Sequence, residues 1–201
     1  MITNYPGHGG NLVWAKEYYC QEELIDFSAN INPLGCSTAV YQEVINQISQ
    51  ILNYPDPECT ELKRELSIYY GISEDYLLLG NGASELLYLI CHAILPRKVL
   101  ILAPSFSEYA RAAKACGASV EEIILSEENQ FEFELSQLDK KIKSSDLFFI
   151  CNPNNPVGNI YPKHTMERIA ELCLEYRTIL VIDESFMDFV LAKEDFSMLS
   201  N

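Results

Sequence analysis

Residues 146–162 read DLFFICNPNNPVGNIYP, and this stretch contains the transition that decides the fold. It starts as an apolar run, breaks into asparagines and prolines, and reaches Gly158 shortly before a helical pattern begins at residue 163. A short apolar run bounded by turn residues is typical of a strand that is buried on both faces. Asn, Pro and Gly are ordinary turn residues, so the loop taken alone indicates no more than a turn.

The same strand, loop and helix succession is repeated along the chain. Helical apolar spacing is clearest at 163–176, where one face carries Met166, Ile169, Ala170, Cys173 and Tyr176. Strands are predicted at 75–80, 98–103, 119–125, 146–151 and 178–183, and helices at 38–52, 60–71, 83–95, 107–117, 135–143 and 163–176. This alternation predicts an α/β fold with a mainly parallel sheet covered by helices on both faces.

The first 35 residues are irregular by comparison. Residues 24–29 (LIDFSA) are a possible short strand, and residues 30–35 (NINPLG) are expected to form a turn. Since we find no internal repeat and no low-complexity stretch, nothing indicates a repeat architecture.

Composition excludes several classes of function. The chain has 201 residues, a formal net charge of −15 and a pI near 4.5, which argues against non-specific binding to nucleic acid or to an anionic membrane surface. Its seven cysteines form no CxxC pair, and its start, MITNYPGHGGN, has neither a cationic segment nor an apolar core. We therefore expect reduced thiols, no metal site, no signal peptide and a cytoplasmic protein.

Unusual residues follow several of the predicted strands. GNGAS follows the first strand at 80–84, PSF follows the second at 104–106, the Asn/Pro loop follows 146–151, and DESF stands at 183–186. Ligands of open parallel sheets bind beyond the carboxyl ends of the strands, so these segments are expected to meet at one edge. Turn chemistry does not require such a gathering, whereas a shared binding site would.

Each segment has an ordinary explanation beside a functional one. Gly80 and Gly82 with the start of a helix suit a phosphate, although a plain glycine turn with Ser84 as helix cap is an equally simple account. The segment matches neither the P-loop nor the dinucleotide-binding pattern. Asp183 could pair with a protonated pyridine nitrogen, or could be an exposed turn residue. Phe106 could stack on a flat ring, or belong to the core.

The combination is more specific than its parts. A phosphate cradle, a stacking ring, an amide donor at Asn155 and a carboxylate at Asp183 together describe a site for pyridoxal 5′-phosphate. The motifs GNGASELL, PSFSEY, NPNNPVG and VIDESFMDF, in this order and spacing, resemble the fold type I pyridoxal phosphate enzymes of the class I/II aminotransferase family. HGGN, DFSANINPLG and NYPDP add a closer similarity to the decarboxylases that act on threonine phosphate and to the related histidinol-phosphate aminotransferases.

The resemblance implies roles for individual residues. Ala83 and Ser84 would hold the cofactor phosphate, Phe106 would stack on the pyridine ring with Tyr109 as the fallback, and Asp183 would pair with the ring nitrogen. Asn155 would bind the ring's 3-oxygen and touch the substrate carboxylate. Tyr54 would reach the cofactor phosphate of the partner subunit in a homodimer. The phosphorylated amino-acid substrate would be contacted by His8, Gly9, Asn32 and Asn155.

The resemblance also implies the domain plan and the reaction. Residues 1–35 would be an N-terminal segment contributing to the substrate site, and residues 36–201 the cofactor-binding large domain, ending before the Schiff-base lysine and the arginine that binds the substrate carboxylate. The expected reaction is decarboxylation of O-phospho-L-threonine to (R)-1-aminopropan-2-ol phosphate in cobalamin synthesis. Histidinol-phosphate transamination, or a catalytically silent binding module, is the alternative. Phe186 stands where many relatives carry tyrosine, which favours the decarboxylase branch. The 201 residues alone are expected to be inactive.

Overall fold

A computed structural model describes residues 9–199 of the chain. By its internal contacts the chain divides into two compact units, and the division falls between Thr60 and Glu61. Each unit is described by itself below. The domain boundary expected after residue 35 stays a prediction.

The first unit consists of short helices joined by turns. Helix α1 spans Leu12–Tyr19 and α2 spans Thr38–Gln47, and a 3₁₀ helix at Ile48–Leu52 continues α2. The side chains of Asn11 and Ser37 cap the two α-helices by accepting hydrogen bonds from backbone N–H groups in the first turn, as residues of these types commonly do. No residue of α1 or α2 is buried.

The short strand predicted at 24–29 is wrong. The segment is not extended into a ladder, because Ser28 donates both its backbone N–H and its hydroxyl to Asp26 Oδ1, at 2.7 and 2.6 Å. Asp and Ser side chains often bond nearby backbone groups in this way and so replace strand pairing with a local turn.

The second unit contains a four-stranded parallel sheet. Its strands are β1 (Lys98–Ala103), β2 (Ser119–Ile124), β3 (Leu147–Cys151) and β4 (Ile179–Asp183), in the spatial order β2-β1-β3-β4. The helices of the unit are α3 (Thr60–Tyr70), α4 (Ala83–Ile94), α5 (Glu108–Ala115), α6 (Leu135–Ile142) and α7 (Lys163–Tyr176). The predicted α/β class and parallel sheet are confirmed, and these helices and strands lie within two residues of their predicted ends.

The sheet has a separate hydrophobic core on each face. Leu100, Leu102, Phe148 and Ile150 pack against α6 and α7, whereas Val99, Ile101, Leu147 and Phe149 pack against α4 and α5. Successive strand residues point to opposite faces, so a strand covered on both sides must be apolar throughout. This is the physical reason for the unbroken LFFIC run of β3 and the VLILA run of β1.

The strand predicted at 75–80 is also wrong. Residues Glu74–Tyr76 form a 3₁₀ turn, and residues 77–80 follow without a ladder. Leu77 is extended and half-buried, while Leu78 is 62% exposed, so the alternation of a strand is present. Within residues 9–199 this segment has no neighbouring strand to pair with, and pairing cannot be read from local sequence.

Three further 3₁₀ turns lie at Glu127–Asn129, Met187–Phe189 and Lys193–Asp195. In the part of the chain that the structure describes, every helix is too short or too polar to cross a bilayer.

Candidate active site

The loop after β3 is built by its own asparagines. The side chain of Asn152, which is fully buried, accepts a hydrogen bond from Tyr161 N at 2.8 Å and donates to Tyr161 O at 3.0 Å. Asn154 accepts from Val157 N at 3.1 Å through its side-chain oxygen, and its backbone carbonyl accepts from Gly158 N at 2.8 Å. Two of the asparagines therefore replace the sheet ladder where the chain turns away from it.

The same loop joins neighbouring strand ends. Asn154 Nδ2 donates to Pro104 O, just beyond β1, at 3.3 Å, and Asn152 N donates to Asp183 O, the last residue of β4, at 2.9 Å. The carboxyl ends of three strands are thus fixed by polar contacts between their loops. The gathering expected from the sequence is present for these segments.

Asp183 is the polar residue at the end of an otherwise apolar strand. It is half-buried and lies opposite Cys151 in the parallel register. Since Val181, two residues earlier, packs on the α4/α5 core, the Asp183 side chain is on that same face. Tyr109 Oη donates to Asp183 Oδ2 at 2.7 Å, and Ser185 donates its backbone N–H to Oδ1 at 2.9 Å and its hydroxyl to the same oxygen.

Tyr109 is completely buried beneath this carboxylate. Its ring is stacked on Phe149, with centroids 5.3 Å apart and planes 11° apart, and meets Phe106 edge-on at 5.7 Å. Burial raises the pKa of Tyr109 far above its ordinary value, and the nearby Cys151 and Asp183 raise it further. Because Tyr109 has no exposed surface, it is excluded as the stacking residue, whereas Phe106 is only half-buried.

The start of α4 has the form expected of an anion site. Gly82 stands before the helix with φ of +87°, and no side-chain oxygen caps the first turn. A Cβ on Gly80 would lie 2.9 Å from Leu86 Cδ2, so only glycine fits there without a shift. Ser84 is the second residue of the helix, and the interpretation of Ser84 as the cap is therefore wrong.

The carboxylate of Glu85 fixes the turn that precedes the helix. Its Oε2 accepts hydrogen bonds from the backbone N–H of Asn81 and from the Asn81 side chain, the latter at 3.2 Å. The amides of Ala83 and Ser84 belong to the helix start, where backbone N–H groups lack intrahelical partners and favour an anion.

Topology places the start of α4 at the same edge as Asp183. Helix α4 ends at Ile94 and β1 begins at Lys98, so the helix runs back along the sheet and its first turn lies toward the carboxyl end of β1. Tyr88 in α4 donates to Glu108 Oε2, in the first turn of α5, at 3.2 Å. Since α5 starts five residues after the end of β1, this contact ties the first half of α4 to the same edge.

Asn155 differs from its neighbours in the loop. It is half-buried, and its side chain takes part in none of the hydrogen bonds that shape residues 152–161. The edge therefore offers an uncapped helix start, a partly exposed aromatic ring, an amide side chain and an oriented carboxylate. These groups fit the phosphate, the ring face, the ring oxygen and the protonated ring nitrogen of pyridoxal phosphate.

Apart from Asn155, the residues expected to bind the substrate and the partner's phosphate belong to the first unit. His8 lies outside the described residues. A Cβ on Gly9 would lie 1.6 Å from Ser28 O, so a side chain cannot be accommodated there. Asn32 closes its own turn by donating to Gly35 O at 3.1 Å and accepting from Leu34 N at 3.0 Å. Tyr54 is fully exposed.

A separate cavity of about 660 Å³ lies on the opposite face of β4. It is lined by residues that include Tyr69, Tyr70, Ile182, Glu184 and Met187. The carboxylate of Glu184 is held there by Ser197 Oγ at 2.6 Å and Met198 N at 2.7 Å. The charge in this cavity is thus used to anchor residues 197 and 198.

Sequence reasoning missed the contact between Tyr109 and Asp183, because the two residues are 74 positions apart. One signal was available. Tyr109 follows Phe106 by three residues at the start of a helix, which places both rings on one face. The structural role of Asn152 was missed as well, since four similar asparagines between 152 and 159 give no sign of which one is buried.

The fold and this edge define a parallel α/β domain that places an uncapped helix start and an oriented carboxylate beyond the carboxyl ends of its strands. A profile of the family described as Aminotransferase class I and II matches residues 22–200. The chain belongs to that family, whose cofactor is pyridoxal 5′-phosphate.

Individual relatives agree with this membership. The chain is 32% identical over 185 residues to the threonine-phosphate decarboxylase of Salmonella typhimurium, covering 91% of this chain and 51% of the relative. It is 36% identical over 200 residues to the adenosylcobalamin biosynthesis bifunctional protein of Leptospira interrogans, covering 96% of this chain and 23% of that protein. The solved histidinol-phosphate aminotransferase of Clostridium acetobutylicum is similar with a TM-score of 0.77 and 33% identity, covering 88% and 51% of the two chains. The chain thus spans about half the length of the decarboxylase and of the solved aminotransferase, and about a quarter of the bifunctional protein.

Proposed function

We propose that this chain provides the cofactor-binding part of an enzyme that decarboxylates O-phospho-L-threonine to (R)-1-aminopropan-2-ol phosphate in cobalamin synthesis. The observation that carries the proposal is the oriented Asp183 carboxylate at the same sheet edge as the uncapped start of α4. Similarity to the threonine-phosphate decarboxylase and to the adenosylcobalamin biosynthesis protein supports the choice of reaction.

Each of the residues at this edge is assigned to a defined part of the cofactor. The backbone amides of Ala83 and Ser84, with the Ser84 hydroxyl, bind the cofactor phosphate, and the positive end of α4 adds to the attraction. Phe106 covers one face of the ring. Asn155 donates to the ring's 3-oxygen and contacts the substrate carboxylate. Asp183 pairs with the ring nitrogen and keeps it protonated.

The cofactor, when bound, accepts the electron pair that remains on the substrate when its Cα–carboxylate bond breaks. A ring nitrogen that keeps its proton makes the ring a better acceptor, and Asp183 serves that purpose from a site where two neutral donors fix its orientation. Phe186 cannot donate a hydrogen bond to the 3-oxygen as a tyrosine would. The task therefore falls to Asn155.

Substrate recognition is assigned to the first unit. His8, Gly9 and Asn32, together with Asn155, would contact the phosphorylated amino acid. Both ends of the Asn32 side chain close the turn at 32–35. A direct contact between this side chain and the substrate therefore requires the turn to open, and in the closed turn Asn32 sets the shape of the segment.

A homodimer is part of the proposal. Helix α2 has an exposed apolar stripe of Val40, Tyr41, Val44 and Ile45, and Tyr54 beyond it is fully exposed. Exposed apolar surface of this kind often marks an interface, and Tyr54 would then reach the partner's cofactor phosphate. Sedimentation equilibrium measures the mass directly. A monomer at micromolar concentration would contradict the dimer.

Histidinol-phosphate transamination is the second candidate, favoured by 33% identity to a solved enzyme with that name. The two reactions are separated with the complete gene product that contains these residues. Release of carbon dioxide from O-phosphothreonine is expected. Amino transfer from histidinol phosphate to 2-oxoglutarate without that release would reject the decarboxylase.

A catalytically silent binding module is the remaining possibility. The test uses the complete gene product that contains these residues. Borohydride reduction in the presence of pyridoxal phosphate, followed by peptide mapping, shows whether a lysine is joined to the cofactor. A single stoichiometric adduct together with turnover is expected for the enzyme. Cofactor binding with neither adduct nor turnover would identify the module.

A further inference from the structure

We infer that Tyr109 is a positioning residue that aims the Asp183 carboxylate at the ring nitrogen of the cofactor. This inference rests on the proposed function, because it assumes that a nitrogen heterocycle binds at this edge. Tyr109 would touch neither the cofactor nor the substrate. Its effect would pass entirely through Asp183.

The two carboxylate oxygens are held by different elements. Ser185, two residues along the chain, binds Oδ1 with its backbone N–H and hydroxyl. Tyr109, which belongs to α5, binds Oδ2 at 2.7 Å. With one oxygen fixed by its own loop and the other by a distant helix, rotation of the carboxylate about χ2 would break at least one contact.

Tyr109 is well suited to fix a direction, because its ring cannot move. The residue has no exposed surface, lies flat on Phe149 and meets Phe106 edge-on. Ser185, by contrast, is exposed. The rigid half of the arrangement is therefore the tyrosine, and a rigid donor holds an ionic partner within the small tolerance that catalysis demands.

Charge agrees with this role. Burial raises the pKa of Tyr109, and Cys151 and Asp183 raise it further, so the hydroxyl keeps its proton over the range in which enzymes work. Tyr109 and Ser185 are both neutral donors. Neither one cancels the negative charge that a protonated ring nitrogen requires.

If the hydrogen bond from Tyr109 served only to stabilise the fold, its loss would affect ligands with and without the ring nitrogen equally. The chain contains a matched pair to test this. Tyr176 Oη donates to Asp139 Oδ1 at 2.8 Å, on the opposite face of the sheet. Its geometry resembles that of Tyr109 and Asp183, but it lies far from the proposed site.

The experiment compares two ligands of the complete gene product that contains these residues. Dissociation constants are measured for pyridoxal 5′-phosphate and for its 1-deaza analogue, in which carbon replaces the ring nitrogen. Without Tyr109 the Asp183 carboxylate can turn away from the ring nitrogen, and a lost charged hydrogen bond of that kind corresponds to about tenfold in affinity. We therefore expect Tyr109→Phe to weaken binding of pyridoxal phosphate by about tenfold and to leave the analogue within about twofold. Tyr176→Phe should change neither constant.

Asp183→Ala shows which idea fails if the result differs. In that variant the preference for pyridoxal phosphate over the analogue should disappear. If it persists, the ring nitrogen does not meet Asp183, and the proposed function is rejected. If it disappears, but Tyr109→Phe weakens both ligands equally or neither of them, the positioning role of Tyr109 is rejected and the proposed function stands. A general loss of stability affects both ligands alike, so the ratio of the two constants remains informative.

Discussion

Asn152→Ala should destabilise the second unit strongly, although Asn152 is not placed in the proposed chemistry. The substitution removes two buried hydrogen bonds, from Tyr161 N at 2.8 Å and to Tyr161 O at 3.0 Å. A buried backbone group left without a partner costs about 1–3 kcal/mol, so the free energy of unfolding should fall by about 2–6 kcal/mol. For a domain of this size that corresponds to a decrease in melting temperature of at least about 4 °C.

The matched control is Asn155→Ala, three residues further along the same loop. The side chain of Asn155 takes no part in the hydrogen bonds that hold the loop, so Asn155→Ala should change the free energy of unfolding by no more than about 0.5 kcal/mol. The effects on cofactor affinity should be in the opposite order. Among folded molecules, Asn155→Ala should bind the cofactor more weakly than Asn152→Ala does.

Urea unfolding followed by circular dichroism is the suitable assay. The single tryptophan, Trp14, belongs to the first unit, whereas circular dichroism follows the helices and strands of the second unit directly. Equal loss of stability in the two variants, or a loss below about 1 kcal/mol for Asn152→Ala, would refute the assignment of structural and functional asparagines.

Four further outcomes follow from single residues. Burial raises the pKa of Tyr161 to about 12, so between pH 10 and 12 the unfolded chain loses a proton that the folded protein keeps. The free energy of unfolding should therefore fall by about 3 kcal/mol over that range, and Tyr161→Phe should remove that part of the loss in alkaline unfolding curves. Gly82→Ala should cost about 1–3 kcal/mol in thermal unfolding, because its φ of +87° and ψ of 164° lie in a backbone region that is essentially restricted to glycine. Arg168→Ala breaks a solvent-exposed ion pair with Glu171 and should change the same measurement by less than about 1 kcal/mol. Asp183→Ala in the complete enzyme should lower turnover by orders of magnitude in a carbon dioxide release assay, and near-normal turnover would remove Asp183 from the proposed site.

The sequence predicted the sheet well because its signal is local. β1 matches its predicted range, and β2, β3 and β4 differ by one residue at one end. The signal is strongest in the central strands β1 and β3, where burial on both faces requires a nearly continuous apolar run. The segments at 24–29 and 75–80 have a similar local pattern but form no ladder. Whether an extended segment pairs depends on a neighbour that the segment itself does not specify.

The candidate site was predictable as a set of strand ends, but its internal contacts were not. The register that sets Cys151 opposite Asp183 follows from strand pairing, and the bond from Tyr109 depends on how α5 packs on that register. Burial in the folded protein distinguishes the asparagines whose side chains hold the loop, Asn152 and Asn154, from Asn155, whose side chain does not. Short polar side chains of one type are therefore the hardest to assign from sequence.

Only one of the two cores of the sheet contains residues of the proposed cofactor site and their neighbours. Tyr109, Phe106 and Cys151 belong to the core under α4 and α5, whereas the core under α6 and α7 contains none of the proposed cofactor-binding residues. Local opening of a folded protein occurs in contiguous units, and hydrogen exchange can measure each one. Opening of the α4/α5 side would release Asp183 from its tyrosine while the other side stayed closed. Hydrogen exchange in α4 and α5 would thus report the opening that uncouples Asp183 from Tyr109, whereas exchange in α6 and α7 would report an opening that leaves this contact intact.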